Sequence, residues 1–377
     1  MHARTLTIFR LYQLFNGIIF TGPVWAVYLL SRGLTLTQFG LVEAALHVGM
    51  LVAAGFFTAA GELGYVYAPG FGLICLAGAI HGVAFALRTG ADEAYLFDAL
   101  AHDDAQAQFP RMLGGLWAVF QFASAISFLA GGLIATWSRP AAFWLTAICA
   151  LIASGIASRL PDDARGSAGQ GLSVARSGLS ALRRSPRLAV LTIAWSIYWA
   201  AFTSAWFYAA PLFAERGASD AMLGFALGGG MLVGAVFSWV GGRMHDRASL
   251  TVTVGGTSLL AAVALVLGPA LPGLALPVLM LLVVAGLPEL VYVTLSTYLQ
   301  HNTRSEFRAT SMSIAEGFFS IQMLWLFPLV GYLITRNGYV TGYAVCAALS
   351  LLAAGLFIGS QRLAGLDQAA EPEAATA

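Results

Sequence analysis

Long apolar stretches separated by short polar turns make up most of this chain. A helix that crosses the hydrocarbon core of a bilayer needs about 20 apolar residues. Runs of this kind predict eleven helical segments, at 8–31, 37–61, 70–99, 110–137, 140–160, 187–214, 219–241, 249–270, 273–300, 307–335 and 338–361. The first run has no small-residue cleavage site, so we expect it to remain as the first membrane helix.

Two polar stretches interrupt this pattern. Residues 161–186 are rich in Gly, Ser and Arg, which is typical of a linker. Residues 363–377 are acidic and Ala-rich without periodicity, and we expect them to be disordered. The sequence therefore predicts a first helical bundle, a cytoplasmic linker, a second six-helix bundle and a tail, at 1–160, 161–186, 187–362 and 363–377.

The composition agrees with an all-α integral membrane protein. Of the 377 residues, 59% are hydrophobic and 10% are charged, whereas soluble domains carry about 25% charged residues. This number of charged residues is too small to cover the surface of a soluble protein of this size. The lipid bilayer must therefore be its main solvent. The net charge of +1 gives no reason to expect a nucleic-acid partner.

Residue usage excludes several function classes. The sequence contains no lysine, so an ATP-binding loop of the GxxxxGK[ST] type is impossible. There is no HExxH or GxSxG pattern and no His/Asp constellation of a catalytic type, which argues against an enzyme. The three cysteines lie far apart in apolar runs and have neither disulfide nor metal spacing. We expect no cofactor and no metal.

Three segments of the first half recur, in the same order, in the second half. YLLSRGLTLTQFG resembles PLFAERGASDAMLG, GADEAYLFDALAHDDAQAQF resembles GLPELVYVTLSTYLQHNTRSEF, and FLAGGLIATWSRPAAF resembles FPLVGYLITRNGYVTG. An internal repeat in an all-helical membrane chain is typical of secondary transporters, whose binding sites lie between the repeats.

Two motifs make the resemblance specific. GGRMHDRAS at Gly241–Ser249 is similar to the cytoplasmic loop of the major facilitator superfamily, and RTGADEAYLFDAL at Arg88–Leu100 resembles the fourth helix of a bacterial branch of exporters in that superfamily. The resemblance extends from about residue 5 to 362. It implies a two-bundle fold with alternating access and twelve helices, so we expect 11–12 transmembrane segments.

The first half departs from this pattern because it lacks the loop between helices 2 and 3. Only 57 positions separate Gly33 from Gly90, whereas 69 separate Gly217 from Gly286. The bundle is therefore shortened around 51–55, and whether 34–69 crosses the membrane once or twice stays open.

The arginines indicate the orientation in the twelve-helix frame. Fourteen fall on the predicted cytoplasmic side, at positions 4, 10, 111, 159, 165, 176, 183, 184, 187, 243, 247, 304, 308 and 362. Four fall on the outer side, at 32, 139, 216 and 336. This bias follows the positive-inside rule and favours two crossings or a re-entrant hairpin in 34–69.

Ionisable side chains at membrane depth are costly, by about 2.5–3.5 kcal/mol each, and are functional candidates. Arg88 and Asp92 are spaced to pair on one helical face, with Glu93 beside them. The cluster has two interpretations: a static ion pair, or a gate linked to protons with Glu93 as the free carboxylate.

Glu289 aligns with Glu93 across the repeat and follows Pro288 in helix 10. Two carboxylates related in this way could take up and release protons along a central pathway. The alternative is an acid that hydrogen-bonds a nearby hydroxyl such as Thr294. Glu316 in helix 11 is a further candidate of the same kind.

Glu43 and His47 are four residues apart in helix 2. A carboxylate beside an imidazole suits proton transfer, but a packed, hydrogen-bonded pair is the favoured interpretation of the spacing.

Polar side chains on helices 1, 5 and 11 are candidates for substrate contact. Gln13 and Asn16 lie about one turn apart on helix 1, and Gln121 and Gln322 lie on helices 5 and 11. Hydrogen bonding between helices explains them without a substrate. Helix 7 is rich in aromatic residues, two or three of which could line an apolar cavity for a flat substrate.

The loop GGRMHDR supplies Gly242, Arg243, Asp246 and Arg247. We interpret it as a gating loop that clasps the inner ends of neighbouring helices and so biases inward against outward states.

Carboxylates at membrane depth without an ATP-binding loop favour a proton-coupled secondary transporter. The leading hypothesis is a monomeric, multi-pass protein of the plasma membrane that exports a small amphipathic molecule. The alternative is a transporter-like membrane protein that has lost transport because its first half is shortened.

Overall fold

The computed structural model describes residues 3–39, 41–42, 56–88, 100, 106–157, 186–244, 250–302 and 308–362. Within these ranges every regular element is a helix. Eight of the described helices are long and apolar enough to cross a membrane. The predicted class, an all-α multi-pass membrane protein, is therefore confirmed.

We number the described α-helices in chain order. The first half of the chain contributes α1 Ala3–Asn16, α2 Trp25–Ser31, α3 Phe56–Tyr67, α4 Phe71–Arg88, α5 Phe109–Ala135 and α6 Arg139–Ala157. The second half contributes α7 Pro186–Glu215, α8 Asp220–Met244, α9 Leu250–Ala270, α10 Ala275–Asn302, α11 Arg308–Asn337 and α12 Tyr339–Arg362. A short 3₁₀ helix, Gln106–Gln108, precedes α5.

The turns after α5, α7, α9 and α11 lie at one end of the helices, which we call the outer end. Arg216 in the α7–α8 turn donates to the carbonyls of Leu271 and Gly273 in the α9–α10 turn, at 2.7 Å each. The segment that follows α2 lies at this end too, because the Tyr208 hydroxyl donates to the Leu36 carbonyl at 3.2 Å. The opposite end is the inner end.

The first apolar run does not form one helix, as the pattern of 8–31 predicted. Residues 17–24 are not helical and separate α1 from α2, and we call them the α1–α2 break. Pro23 explains it, since proline has no N–H and its ring clashes with the helical carbonyl four residues earlier. Gly22 before it lacks a side chain to pack within a helix.

Side chains from α5 and α6 form hydrogen bonds with the backbone N–H and carbonyl groups of the break. Ser127 accepts from the Ile19 N–H at 2.9 Å, and Ser124 donates to the Gly17 carbonyl at 2.8 Å. Thr146 on α6 accepts from the Thr21 N–H at 3.2 Å. Irregular backbone at membrane depth is tolerated where protein groups hydrogen-bond to it. These side chains therefore stabilise the break as a regular part of the fold.

Helix α5 of the first half and α8 of the second half run antiparallel in close contact, which we call the α5–α8 seam. A Cβ atom at Gly114 would lie 2.5 Å from the Ser238 carbonyl oxygen, and one at Gly132 would lie 2.6 Å from the Gly224 Cα atom. Glycine is therefore required at both places. The seam extends from the inner to the outer end.

Ionic and aromatic contacts join the two halves at the outer end. Arg139 at the start of α6 forms a two-point ion pair with Asp220 at the start of α8, with N–O distances of 2.8 and 3.0 Å. The ring centroids of Phe39 and Tyr208 lie 5.5 Å apart, and those of Trp25 and Phe207 lie 5.7 Å apart. The two halves are therefore in contact at this end.

Candidate functional site

Glu289 lies in the middle of α10 and is buried, with 8% of its surface exposed. Its Oε1 accepts a hydrogen bond from Gln121 Nε2 at 2.7 Å, and its Oε2 accepts one from Ser238 Oγ at 3.0 Å. The carboxyl group therefore joins α5, α8 and α10, and one of its two bonds crosses between the halves of the chain.

Pro288 modifies the helix next to this carboxyl group. It lies inside α10, and because it has no N–H the carbonyl of Val284 loses its usual helical donor. Val284 and Pro288 both line the cavity beside Glu289. The local sequence thus leaves a polar backbone group near the buried acid.

The two groups that contact Glu289 can each reverse the sense of their hydrogen bond. Gln121 carries an amide oxygen as well as an N–H donor, and a serine hydroxyl donates or accepts by rotation. In the described part of the structure, Gln121 Oε1 is buried without a hydrogen-bond partner. The site therefore has a donor for each carboxylate oxygen and an acceptor available for a carboxyl proton.

A cavity of about 140 Å³ adjoins Glu289. Drug-sized ligands occupy sites of about 300–1,000 Å³, so in this conformation the cavity has room only for a smaller group. Its lining comes from four helices and consists of Gln121, Trp199, Phe202, Thr203, Trp206, Gly230, Met231, Val284, Ala285, Pro288 and Glu289.

One face of α7 supplies the aromatic wall of the cavity. Trp199, Phe202 and Trp206 recur at helical spacing and line it together. Trp199 stacks on Tyr292 of α10 with ring centroids 5.2 Å apart. A Cβ atom at Gly230 would lie 3.0 Å from the Trp206 ring, so the glycine lets this ring lie against α8.

The electrostatics of the cavity are simple. Glu289 is the one acidic residue among those that line it, and none of the lining residues is basic. The carboxyl group therefore faces aromatic and aliphatic surface and two neutral hydrogen-bonding side chains. A carboxylate and aromatic faces both attract a cationic group, and aromatic faces also stack on a flat apolar group.

Most of the predicted acidic and basic cluster in the first half lies outside the described residues. The backbone of Arg88 ends α4, but its side chain is outside them, as are Asp92, Glu93, Glu43 and His47. The pairing of Arg88 with Asp92 and of Glu43 with His47 therefore stays a prediction.

The remaining candidates on α1 and α11 do not line the described cavity. Gln13 and Asn16 are half-buried on α1, and Glu316 is half-buried on α11. Gln322 accepts a hydrogen bond from Trp325 Nε1, one turn along the same helix, at 2.9 Å. This bond lies within one helix and not between helices, and it needs no substrate.

The described part of the predicted gating loop lies at the last turn of α8. Gly242 is buried against α5, where a Cβ atom would lie 2.6 Å from the Pro110 carbonyl oxygen. Arg243 is exposed and stacks on Trp239, with 3.7 Å from its Cζ atom to the ring centroid. Asp246 and Arg247 lie outside the described residues.

Neither Glu62 nor Ser238 was predicted as a functional residue from the sequence. Glu62 on α3 is 1% exposed, yet it directly follows the apolar run 37–61 and so looked like the end of a segment. The acid between two glycines in AAGELGY was the available signal. For Ser238 nothing in the sequence signals its contact with α10, which arises from packing.

Comparison with known proteins gives a family and a fold. The sequence profile described as Major Facilitator Superfamily matches residues 11–321. The structure resembles that of the human organic anion transporter MFSD10 (TETRAN), at 16% identity and a TM-score of 0.68. It also resembles a variant of the nucleoside transporter NupG, at 13% identity and a TM-score of 0.71. Each likeness covers 94% of this chain and 99% of the other. No curated protein sequence matches the chain.

Proposed function

The chain belongs to the Major Facilitator Superfamily, and from that premise we propose that it exports a small amphipathic molecule in exchange for protons. A membrane transporter is what its family and fold support. The finer assignment depends on one observation. A buried carboxyl group, Glu289, lies at a cavity between the two halves and is hydrogen-bonded from both.

Proton exchange at Glu289 follows from the chemistry of its partners. When the group is ionised, the Gln121 amide and the Ser238 hydroxyl donate to it. When it carries a proton, the acid O–H donates to an oxygen of one of them after an amide or hydroxyl rotation. Because no basic side chain lines the cavity, the charge of the carboxylate is available to an incoming substrate. Proton and substrate therefore compete for one group.

The aromatic wall supports the substrate class. Trp199, Phe202 and Trp206 line the same cavity as the acid, which suits a molecule with an aromatic ring and a neutral or cationic polar group. The proposed direction of transport, export, is supported by the motif RTGADEAYLFDAL at Arg88–Leu100. Location in the plasma membrane and a monomeric state complete the proposal.

Transport in liposomes tests it. The purified protein is reconstituted with an acidic lumen and a neutral bath, and the uptake of ethidium, a planar aromatic cation, is followed together with the lumenal pH. We expect uptake that raises the lumenal pH and stops when the gradient is collapsed. Glu289→Gln should lose this uptake, whereas Glu371→Gln, a change in the predicted tail, should keep it.

Two results would count against the proposal. Full gradient-driven uptake by Glu289→Gln would remove the carboxyl group from the mechanism. Wild-type protein that binds ethidium, by fluorescence quenching of its tryptophans, but moves none with a gradient would favour the alternative of a transporter-like protein without transport.

A further inference from the structure

A second acid is buried outside the lining of the cavity. Glu62 on α3 is 1% exposed, and its Oε1 accepts a hydrogen bond from Thr21 Oγ1 at 3.2 Å. Its Oε2 is buried and has no hydrogen-bond partner among the described residues. An ionised carboxylate in such a place costs several kcal/mol unless a cation accompanies it, so this acid needs an explanation.

The partner of Glu62 belongs to the α1–α2 break. Thr21 donates its N–H to Thr146 on α6 and its hydroxyl to Glu62 on α3. Broken helices at membrane depth are where transporters bind coupling ions, because backbone polar groups are freed there. Here the freed groups are bonded to serine and threonine side chains, and the carboxyl group is the titratable group of the arrangement.

The charged and titratable neighbours of Glu62 are few. Arg32 at the end of α2 donates to the carbonyls of Tyr65, Val66 and Ala68 at the outer end of α3, so its guanidinium is engaged there. The other charged or titratable side chains that the structure describes on α3 and on the elements packed against it are Tyr28, Tyr65, Tyr67, Cys75, His81, Arg139 and Cys149. Of these, Arg139 is paired with Asp220.

Contacts connect the break with the aromatic wall of the cavity. A Cβ atom at Gly22 would lie 2.0 Å from the Phe128 ring of α5, so ring and backbone are in direct contact. The Phe128 ring in turn lies 6.5 Å from that of Trp206, which lines the cavity. A movement of the break would therefore act on the Phe128 ring, which lies beside a residue of the cavity wall.

We propose that Glu62, positioned by Thr21 of the α1–α2 break, is a second proton-binding site of this protein, separate from Glu289. The proton adds to Oε2, the oxygen without a partner, while Oε1 keeps its bond to the Thr21 hydroxyl. Release of the proton requires water to reach Oε2, and hence a separation of the break from α3. A role for this step in coupling rests on the transport function proposed above; the binding of the proton does not.

Infrared spectroscopy of the reconstituted protein tests the site without any substrate. We expect wild-type protein to show a C=O stretching band of a protonated carboxyl group that disappears as the pH is raised. Glu62→Gln should lose this band, while Glu289→Gln and Glu371→Gln should retain it. Thr21→Val should move the band to higher frequency because the carbonyl oxygen loses a hydrogen bond.

The Thr21→Val measurement keeps the test decisive if Glu62→Gln does not fold. A band that Glu62→Gln leaves intact, or one that Thr21→Val does not shift, would overturn the proposal. A band that disappears on addition of Na⁺ at constant pH would overturn it too, since the site would then bind a metal cation. If wild-type liposomes move no ethidium, the transport proposal fails while this band can still be present.

Discussion

Gln121 in the first half of the chain donates its amide N–H to Glu289 in the second half, at 2.7 Å. The two residues are 168 positions apart in sequence, and both line the cavity. The acid to which we assign proton exchange is therefore hydrogen-bonded across the interface between the two halves of the chain. Separation of the halves and a change in the protonation of Glu289 alter the same hydrogen bond.

The first prediction concerns that bond. Gln121→Leu leaves a buried carboxyl oxygen without its donor, which costs about 1–3 kcal/mol. We expect a lower midpoint of thermal unfolding in detergent. Gln322→Leu is the matched control, because the Gln322 amide bonds Trp325 on its own helix at an exposed place, and surface changes of this kind stay within about 0.5 kcal/mol. Equal midpoints for the two variants would contradict the prediction.

The second prediction concerns the α5–α8 seam. Gly132→Ala places a Cβ atom 2.6 Å from backbone atoms of α8, which forces the helices apart at a cost of about 1–3 kcal/mol. Gly115→Ala on the same helix meets nothing within 4 Å and should stabilise the protein by about 0.4–1 kcal/mol. Unfolding midpoints that move in opposite directions confirm the seam, and a neutral Gly132→Ala would argue against it.

The third prediction concerns the ion pair at the outer end. Arg139 and Asp220 are partly exposed, at 31% and 12%, so their pairing contributes about 1 kcal/mol or less. The test uses a protein without its native cysteines that carries Thr203→Cys in the cavity, and it measures how fast an external thiol reagent labels this cysteine. Adding Arg139→Gln should raise the labelling rate by about 2–5-fold.

Two further variants check that interpretation. The double exchange Arg139→Asp with Asp220→Arg should restore slow labelling, because it rebuilds the pair with reversed signs. Arg336→Gln removes an exposed arginine that bonds Tyr332 on its own helix and should leave the rate unchanged. Fast labelling in the double exchange would mean that the pair does not hold the outer end closed.

The fourth prediction concerns orientation. In cells that express a cysteine-free protein, Ser167→Cys in the linker should be protected from an impermeant thiol reagent. Ser219→Cys in the α7–α8 turn should be labelled, since the arginine distribution assigns that turn to the outside. The opposite pattern would invert the later helices and favour the alternative without transport.

Hydropathy predicted the helices of the second half well, because the cost of burying backbone and polar groups in lipid fixes where a helix can begin and end. The run 219–241 became Asp220–Met244, and 338–361 became Tyr339–Arg362. The break in 8–31 was missed, since Gly22 and Pro23 lie within an apolar run and a hydropathy average does not register them.

The candidate site was predicted in part. Glu289 was singled out as an acid at membrane depth, and Gln121 as a polar residue of helix 5. Their contact, and that with Ser238, arises from which helix faces meet, which no local pattern encodes. A bond to Thr294 on the same helix was the local alternative, and it stays untested because the Thr294 side chain lies outside the described residues. The described hydrogen bonds of Glu289 come from α5 and α8.

The α5–α8 seam has a consequence for molecules dissolved in the lipid itself. The backbones of α5 and α8 are in contact from Gly114 and Ser238 to Gly132 and Gly224. They therefore leave no gap through which an acyl chain or an apolar solute could enter laterally. A compound partitioned into the leaflet cannot enter the cavity from this flank. In this conformation it must first leave the bilayer or approach from another flank, so its solubility in membranes alone does not determine how fast the protein captures it.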